Sequence, residues 1–262
     1  MTYEPGLQTL LEKHQVLLGC AVDSASPDVA EMAGMLGYDL VWADLEHGSV
    51  GPREAQTFCQ GAKAGGALPV LRIPNADRVH VLHALEAGAR LIVVPMVESP
   101  ETAREIVEHG KYAPLGKRGF NGATRGLQYG IGDRLENIEW ANRETHLFVQ
   151  IETVEAVRRC SEIVAVEGIT GGLVGPADLS FSMGKPLAFD DPEVLSLFTQ
   201  AIGKIRAAGK IAATATATPH LVKAGVEAGL QIIICATEMS SLRSSFDQTL
   251  RDVSGMIRSI SC

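Results

Sequence analysis

The chain has 262 residues, of which 46% are hydrophobic and 21% charged, and its formal net charge is −8 at pH 7. This composition is typical of a folded globular protein rather than a disordered one. The acidic balance argues against nucleic acid and anionic membranes as main partners, because both require a basic face. The length suits one (β/α)8 barrel domain that covers residues 1–262.

Short runs rich in Val, Ile and Leu alternate with helical patterns along the chain, as in a parallel sheet covered on both faces. The predicted strands are residues 16–22, 39–44, 68–73, 90–96, 146–152, 171–175, 210–216 and 231–236. The predicted helices are residues 26–37, 51–66, 75–89, 99–110, 153–165, 191–210, 218–229 and 238–259. Eight such repeats favour a closed TIM barrel over an open doubly wound sheet.

The connection over residues 110–145 is longer than the others and rich in Gly and basic residues. An insertion of this kind is typical of a functional loop or lid. For Arg118 in this segment, two interpretations stay open. It either attracts a substrate carboxylate or is a solvated charge of the loop.

The cysteines and the N-terminus indicate a cytoplasmic location. The five cysteines, Cys20, Cys59, Cys160, Cys235 and Cys262, are widely spaced and form no CxxC pair. This pattern is typical of reduced thiols in a cytosolic protein. No signal peptide is predicted, and the longest apolar runs are far shorter than the roughly 20 residues that cross a bilayer. We therefore expect no membrane partner.

Few polar side chains occur at the carboxyl ends of the predicted strands, where barrel enzymes have their active sites. Glu152 ends the fifth strand, and Asp178 follows the sixth, one strand–helix unit later. Two adjacent carboxylates repel each other unless a cation lies between them, and Mg²⁺, Mn²⁺ and Co²⁺ bind oxygen ligands of this kind. The pair predicts a divalent metal site, although each carboxylate could instead cap the helix that follows.

Arg72 lies in an apolar strand, and a buried arginine requires either an acidic partner or an anionic ligand. His47 follows Asp44 and Glu46 at the end of the second strand. Alternation directs these two acids to one face and Leu45 and His47 to the other. A histidine at this position suits proton transfer near neutral pH, or it has a structural role.

The segment Gly175, Pro176, Ala177 and Asp178 begins a predicted helical turn. The backbone N–H groups of Ala177 and Asp178 at such a turn can bind a carboxylate. Neither a GxGxxG nor a Walker A pattern occurs, which argues against dinucleotide and ATP sites.

Together, six segments resemble the HpcH/HpaI aldolase family in order and spacing: DLVWADLEHG, LPVLRIP, LEAGARLIVVPMVESPETAREIV, YAPLGKRG, VQIET and GPADLS. The resemblance implies a class II aldolase that joins pyruvate to an aldehyde, or cleaves 4-hydroxy-2-oxo acids, through a metal-stabilised pyruvate enolate. It also implies a barrel whose C-terminal helix is exchanged between the subunits of a trimer or hexamer.

The resemblance also implies roles for individual residues. Glu152 and Asp178 match the metal ligands, and Arg72 matches the arginine that contacts the keto oxygen of pyruvate. Ala177 and Asp178 match the backbone amides that hold the pyruvate carboxylate, within a substrate-binding segment that includes Gly175 and Pro176.

Proton transfer is implied for His47, which matches the family's histidine. The family places an aspartate of the adjacent subunit near this histidine, and the corresponding residue here is Glu86, one methylene longer. A second departure is the Ala-Thr run over residues 212–218, where the family often has Pro-Gly and bulky aliphatic residues. This run predicts an altered aldehyde pocket.

Related enolate enzymes could use the same residues on the same barrel, among them an acyl-CoA lyase, an oxaloacetate decarboxylase and a phosphoenolpyruvate-type mutase. A non-catalytic barrel that binds a keto acid is a further alternative. Lys210 begins the seventh strand, at the wrong end for catalysis, so no lysine imine is expected.

Overall fold

A computed structural model describes residues 6–260, which form a closed barrel of eight parallel strands. The strands are β1 (Leu17–Ala21), β2 (Leu40–Asp44), β3 (Leu68–Arg72), β4 (Leu91–Val94), β5 (His146–Ile151), β6 (Ile169–Val174), β7 (Ile211–Ala215) and β8 (Ile232–Thr237). Each strand pairs with its neighbour in sequence, and β8 pairs with β1. The predicted (β/α)8 barrel is confirmed. The ends of the predicted domain and Cys262 lie outside the described residues.

The helices cover the outside of the barrel and one of its ends. They are α1 (Leu7–Lys13), α2 (Pro27–Met35), α3 (Pro52–Ala64), α4 (Arg78–Ala87), α5 (Pro100–Gly110), α6 (Arg134–Glu144), α7 (Val154–Val164), α8 (Pro176–Ser182), α9 (Pro192–Ala207), α10 (Pro219–Ala228) and α11 (Glu238–Ile260). The prediction missed α1 and α6, and of α8 it included only the first turn. The long connection is therefore not all loop, since it contains α6 and a 3-10 segment, Arg125–Gly130.

The residues flanking the helices explain where they begin and end. The side chains of Ser26 and Thr153 accept hydrogen bonds from backbone N–H groups in the first turns of α2 and α7, which stabilises these ends. Gly88 and Gly229 follow α4 and α10 with left-handed backbone conformations that glycine adopts without strain.

The barrel interior is filled by large apolar side chains, including Phe148, Leu173 and Trp42. A Cβ atom on Gly171 would lie 2.6 Å from the Phe148 ring, so the glycine makes room for this side chain. Leu7 and Leu10 of α1 belong to the same buried cluster, and α1 therefore closes the amino end of the barrel. The opposite, carboxyl end remains open for a site.

Cys20, Cys160 and Cys235 are thiols without a disulfide, in agreement with the reduced state that the sequence predicts. Burial is the main cause that raises the pKa of Cys160 to about 12, so this thiol is held in its protonated, unreactive form. None of the helices in the described range 6–260 is both long and apolar enough to cross a membrane.

Candidate active site

A cavity of about 650 Å³ opens at the carboxyl end of the barrel. Its walls come from several strand ends and from the beginning of α11, and they include the predicted site residues Arg72, Gly175, Pro176, Ala177 and Asp178. This location agrees with the general position of active sites in (β/α)8 barrels.

Arg72 is held in the cavity wall by acids of the preceding strand. Its Nε lies 3.0 Å from Oδ1 of Asp44, its Nη2 contacts the other oxygen of the same carboxylate, and its Nη1 lies 3.1 Å from Oε2 of Glu46. The guanidinium carbon also lies 5.7 Å from the centre of the Trp42 ring. Arg72 thus has the acidic partners that one prediction requires, and it also lines the cavity. Its contact with an anionic ligand stays a prediction. Asp44 and Glu46 point to the same side, as alternation predicts.

The Asp44 carboxylate also fixes the turn that follows β2. Its Oδ1 accepts hydrogen bonds from the backbone N–H groups of Glu46, at 2.9 Å, and His47, at 3.4 Å. Burial by itself would raise the pKa of Asp44, but the hydrogen bond and charge of Arg72 outweigh it and lower the pKa. Asp44 is therefore ionised near neutral pH, and its charged hydrogen bonds orient Arg72.

Glu152 is buried, with only 2% of its surface exposed, and does not itself line the cavity, although its neighbours Gln150 and Gly175 do. Its Oε1 accepts a hydrogen bond from the backbone N–H of Met96 at 2.8 Å, and its Oε2 accepts one from Nε2 of Gln150. Met96 has a φ of 53°, in the left-handed region, and such strain is common at functional sites. Burial raises the pKa of Glu152, and the charges of Asp178 and Glu46 raise it further.

Gly175 and Gln150 connect Glu152 to the open cavity. A Cβ atom on Gly175 would lie 2.9 Å from Oε2 of Glu152, so a larger residue here would displace the carboxylate. Oε1 of Gln150 is buried and has no hydrogen-bond partner in the described part of the chain. A buried acceptor of this kind requires a partner that the protein itself does not supply.

The start of α8 forms the wall next to Glu152. Gly175 is the N-cap residue and provides no side-chain cap, and Pro176 occupies the first turn. The backbone N–H groups of Ala177 and Asp178 are therefore available to an anion in the cavity. Asp178 lines the cavity itself and is close enough to Glu152 to raise its pKa.

The donor set of this wall fits a hard divalent cation. Glu152 and Asp178 supply carboxylate oxygens whose mutual repulsion a cation would relieve. Within residues 6–260, no group of three or more His, Cys, Asp or Glu side chains is arranged as metal ligands. Water and substrate would therefore complete the coordination shell.

His47 and Glu86 are not among the cavity-lining residues of this chain. The His47 side chain is 72% exposed, and its Nε2 lies 3.9 Å from Oε2 of Glu46. Glu86 belongs to α4 and is half-buried near Tyr112 and Arg118, whose pKa values it influences. The catalytic roles of His47 and Glu86 stay predictions.

Arg118 is only 6% exposed, and its guanidinium carbon lies 4.8 Å from the centre of the Tyr112 ring. The interpretation of Arg118 as a solvated loop charge is therefore wrong. Its side chain does not line the cavity either, because the loop packs on the outside of the barrel, next to Glu86.

Residues 17–238 match the HpcH/HpaI aldolase/citrate lyase family. The chain belongs to this family. A hydroxypyruvate/pyruvate aldolase from Sagittula stellata is 36% identical over 222 residues, which are 84% of this chain and 87% of the relative. A 2-keto-3-deoxy-L-rhamnonate aldolase from Klebsiella pneumoniae is 32% identical over 242 residues, 92% of this chain and 90% of the relative.

A crystal structure of an HpcH/HpaI aldolase from Desulfitobacterium hafniense superposes with a TM-score of 0.87 at 28% identity, covering 95% of this chain and 96% of the other. The predicted family and the predicted reaction class, a carbon–carbon lyase of the aldolase type, are confirmed.

Three contributors to this HpcH/HpaI site were not assigned by the sequence. They are Gln150, the N–H of Met96 and the ring of Trp42. The pairing of Asp44 with Arg72 was also missed, although each ends its strand and the two residues are direct partners in the register of β2 and β3. Alignment of the two strand ends could have identified this pair.

Proposed function

We propose that this protein is a divalent-metal-dependent pyruvate aldolase that reversibly joins pyruvate to an aldehyde to form a 4-hydroxy-2-oxo acid. In this reaction the pyruvate methyl group loses a proton, its carbon bonds to the aldehyde carbonyl carbon, and the aldehyde oxygen gains a proton. One observation carries the proposal: Arg72, Ala177 and Asp178 line a single cavity, and Asp178 lies close enough to the buried Glu152 to raise its pKa.

In this proposal the start of α8 binds the pyruvate carboxylate. The N–H groups of Ala177 and Asp178 donate to its oxygens, because the first turn of the helix leaves them without intrahelical acceptors. Fixing the carboxylate at this wall orients the keto oxygen toward Arg72.

Arg72 retains N–H groups beyond those that contact Asp44 and Glu46, since a guanidinium carries five. We assign these remaining donors to the keto oxygen, where negative charge grows as the methyl proton leaves. Asp44 keeps the guanidinium in place before the reaction begins, so little reorganisation is required at this step.

Glu152 and Asp178 would hold the cation, which we expect to be Mg²⁺, Mn²⁺ or Co²⁺. When bound, such an ion acts as a Lewis acid that stabilises negative charge on an oxygen. No lysine lines the cavity in the described part of the chain, which supports a mechanism without a lysine imine.

For proton transfer we propose His47, assisted by Glu86 of an adjacent subunit. His47 lies in the turn that Asp44 fixes, and its ring is exposed. Glu86 is half-buried on α4, outside the barrel. This arrangement explains why neither side chain lines the cavity of a single chain.

The test is exchange of the pyruvate methyl protons with deuterated solvent, followed by NMR in the presence of Mg²⁺, Mn²⁺ or Co²⁺. We expect exchange that EDTA stops and that returns when the metal is added back. Borohydride with pyruvate should not inactivate the protein. Absence of exchange with every metal, or inactivation by borohydride, would contradict the proposal.

We also propose a homo-oligomer, a trimer or hexamer, in which α11 is exchanged between subunits. None of the residues of α11 is buried in the single chain. Leu242, Phe246, Leu250 and Val253 recur at helical spacing and are exposed, Phe246 by 68%. An apolar stripe of this length on a 23-residue helix is typical of an interaction surface.

The oligomer is tested by combining Phe246→Asp with Leu250→Asp and measuring mass by analytical ultracentrifugation. We expect this variant to dissociate, whereas Gln248→Asp on the same helix should not. A monomeric parent protein, or a variant of unchanged mass, would disprove the assembly. We place this oligomer in the cytoplasm, in agreement with the unbridged thiols of Cys20, Cys160 and Cys235.

A further inference from the structure

The cavity has a second half, opposite the wall formed by Arg72 and α8. This half is built by the loop after β1, the ends of β7 and β8, and the first two turns of α11. Its polar side chains are five hydroxyls and one carboxylate: Asp23, Thr216, Thr237, Ser240, Ser241 and Ser244. We call these six residues the hydroxyl wall.

Apart from the hydroxyl wall, this half is lined mostly by small side chains. Ala215, Ala217 and Ala236 leave space between the hydroxyls. They lie at and after the end of β7 and in the neighbouring end of β8. A ligand of several carbon atoms therefore fits beside pyruvate in the volume of about 650 Å³.

Two threonines of the hydroxyl wall are oriented by hydrogen bonds that use only their acceptor capacity. Oγ1 of Thr216 accepts from the N–H of Thr218 at 3.1 Å, and Oγ1 of Thr237 accepts from the N–H of Ser240 at 3.3 Å. Each hydroxyl hydrogen remains available to donate to a ligand.

The electrostatics of this half are negative. Burial raises the pKa of Asp23, and the charges of Glu238 and Asp44 raise it further. Glu238 is fixed there because its carboxylate accepts hydrogen bonds from Oγ of Ser24 at 2.8 Å and from the N–H of Ser24 at 3.0 Å. Apart from Arg72, no Lys, Arg or His among the described residues lines the cavity. A ligand with an anionic tail would meet like charge without a compensating cation.

We infer that the hydroxyl wall selects an uncharged, hydroxylated aldehyde, such as a short sugar-derived hydroxyaldehyde, and rejects aldehydes that carry a carboxylate or phosphate at the far end. This inference rests on the proposed pyruvate aldolase function and adds the class of the second substrate. Hydroxyl groups of the aldehyde exchange hydrogen bonds with Thr216, Thr237 and the serines of α11. Without this ligand, the hydroxyls of the wall would form hydrogen bonds with water instead.

The selection is measured as kcat/KM for pyruvate addition to three matched aldehydes. These are glyceraldehyde, propanal, which lacks its hydroxyls, and glyceraldehyde 3-phosphate, which adds an anion. We expect glyceraldehyde to exceed each of the others by about tenfold or more, the effect of one or two hydrogen bonds gained or of one unpaired charge avoided. A preference for propanal or for the phosphate would overturn the inference.

Two variants test the wall itself. Ser244→Ala should lower the ratio of kcat/KM for glyceraldehyde over propanal by about fivefold, the effect of one hydrogen bond. Asp23→Asn should raise the ratio for glyceraldehyde 3-phosphate over glyceraldehyde by about tenfold, because it removes a negative charge. Ser245→Ala, on the same helix but outside the cavity lining, should change neither ratio. Unchanged ratios in both wall variants would overturn the inference.

Exchange of the pyruvate methyl protons, measured without any aldehyde, separates the two ideas. If the parent protein exchanges these protons but does not prefer glyceraldehyde, the inference is wrong and the proposed function stands. If no exchange occurs with any of the three metals, the proposed function is wrong and the inference falls with it.

Discussion

The two ends of the barrel both bury charged groups, but with different surroundings. At the amino end, Lys111 is only 5% exposed, and its Nζ donates hydrogen bonds to the backbone carbonyl oxygens of Asn142 and Thr145. His146 lies beside it with a buried ring nitrogen, Nε2, that has no partner in the described part of the chain. None of these residues lines the cavity at the carboxyl end.

At the carboxyl end, Glu152 is as deeply buried as Lys111, and Arg72 and Asp44 are partly buried. Their contacts leave hydrogen-bonding capacity beside an open cavity. Arg72 has unused N–H groups, and Glu152 lies next to the unpaired Oε1 of Gln150. The comparison teaches that burial of charge does not by itself indicate catalysis. The distinguishing feature is the space beside the charge, into which a ligand can bring the missing partner.

The largest effect is expected on metal binding, when one of the two proposed ligands is changed. Glu152→Gln or Asp178→Asn should abolish detectable Mn²⁺ binding in isothermal titration calorimetry, because each removes one of two carboxylates. Glu155→Gln is the control, since this exposed residue of α7 pairs with Arg158 on the surface. Retention of the parent affinity in both site variants would refute the assignment of the two ligands.

Next in size is Arg72→Lys. Lysine keeps the positive charge but cannot hold Asp44 with two parallel hydrogen bonds and still direct a donor at the substrate. We expect turnover to fall roughly 10²-fold, as for the loss of one oxyanion donor. The measurement is kcat with pyruvate and glyceraldehyde, and Arg104→Lys on the exposed surface of α5 is the control. Unchanged turnover would remove Arg72 from the mechanism.

At the amino end of the barrel, replacing a buried charged residue should affect stability only. Lys111→Met leaves the carbonyl oxygens of Asn142 and Thr145 without their donor, so we expect the free energy of unfolding to fall by about 1–3 kcal/mol. Urea unfolding measures this loss. Lys117→Met, which breaks an exposed ion pair with Glu108, should cost less than about 1 kcal/mol. If folded Lys111→Met protein lost turnover, the contrast between the two ends of the barrel would be wrong.

The last expected effect is a dependence of stability on pH. Burial lowers the pKa of His146 to about 3, and the charges of Lys111 and Arg90 act in the same direction. Since the unfolded chain binds this proton near pH 6.5, the contribution to stability is complete above pH 6.5 and is lost as the pH falls toward 3.

The expected slope from this histidine is at most about 1.4 kcal/mol per pH unit. Urea unfolding between pH 6.5 and 4 should show a shallower loss of stability for His146→Gln than for the parent protein. His83→Gln, at an exposed position of α4, is the control and should keep the parental slope. Equal slopes for His146→Gln and the parent would show that the pKa of His146 is not lowered by folding.

The sequence could predict the barrel because its evidence is local. Alternating apolar runs and capped helical periods fixed all eight strands and placed Glu152, Asp178 and Arg72 at the carboxyl end before any contact was known. It missed α1 and α6, because seven residues of α1 and the polar surface of α6 carry a weak periodic signal. The burial of Arg118 could not be predicted from the sequence either, since it depends on how the loop packs against α4.

Composition and periodicity alone thus determined the strands, the order of the elements and the end of the barrel where chemistry is possible. Only the tertiary structure decided which groups touch: Arg72 with Asp44 through strand register, Glu152 with the N–H of Met96, and the hydroxyls of α11 with the cavity. The physical reason is that secondary structure follows from interactions between near neighbours in the chain. The partner of a buried charge is set by closure of the barrel, which joins residues that are far apart in sequence.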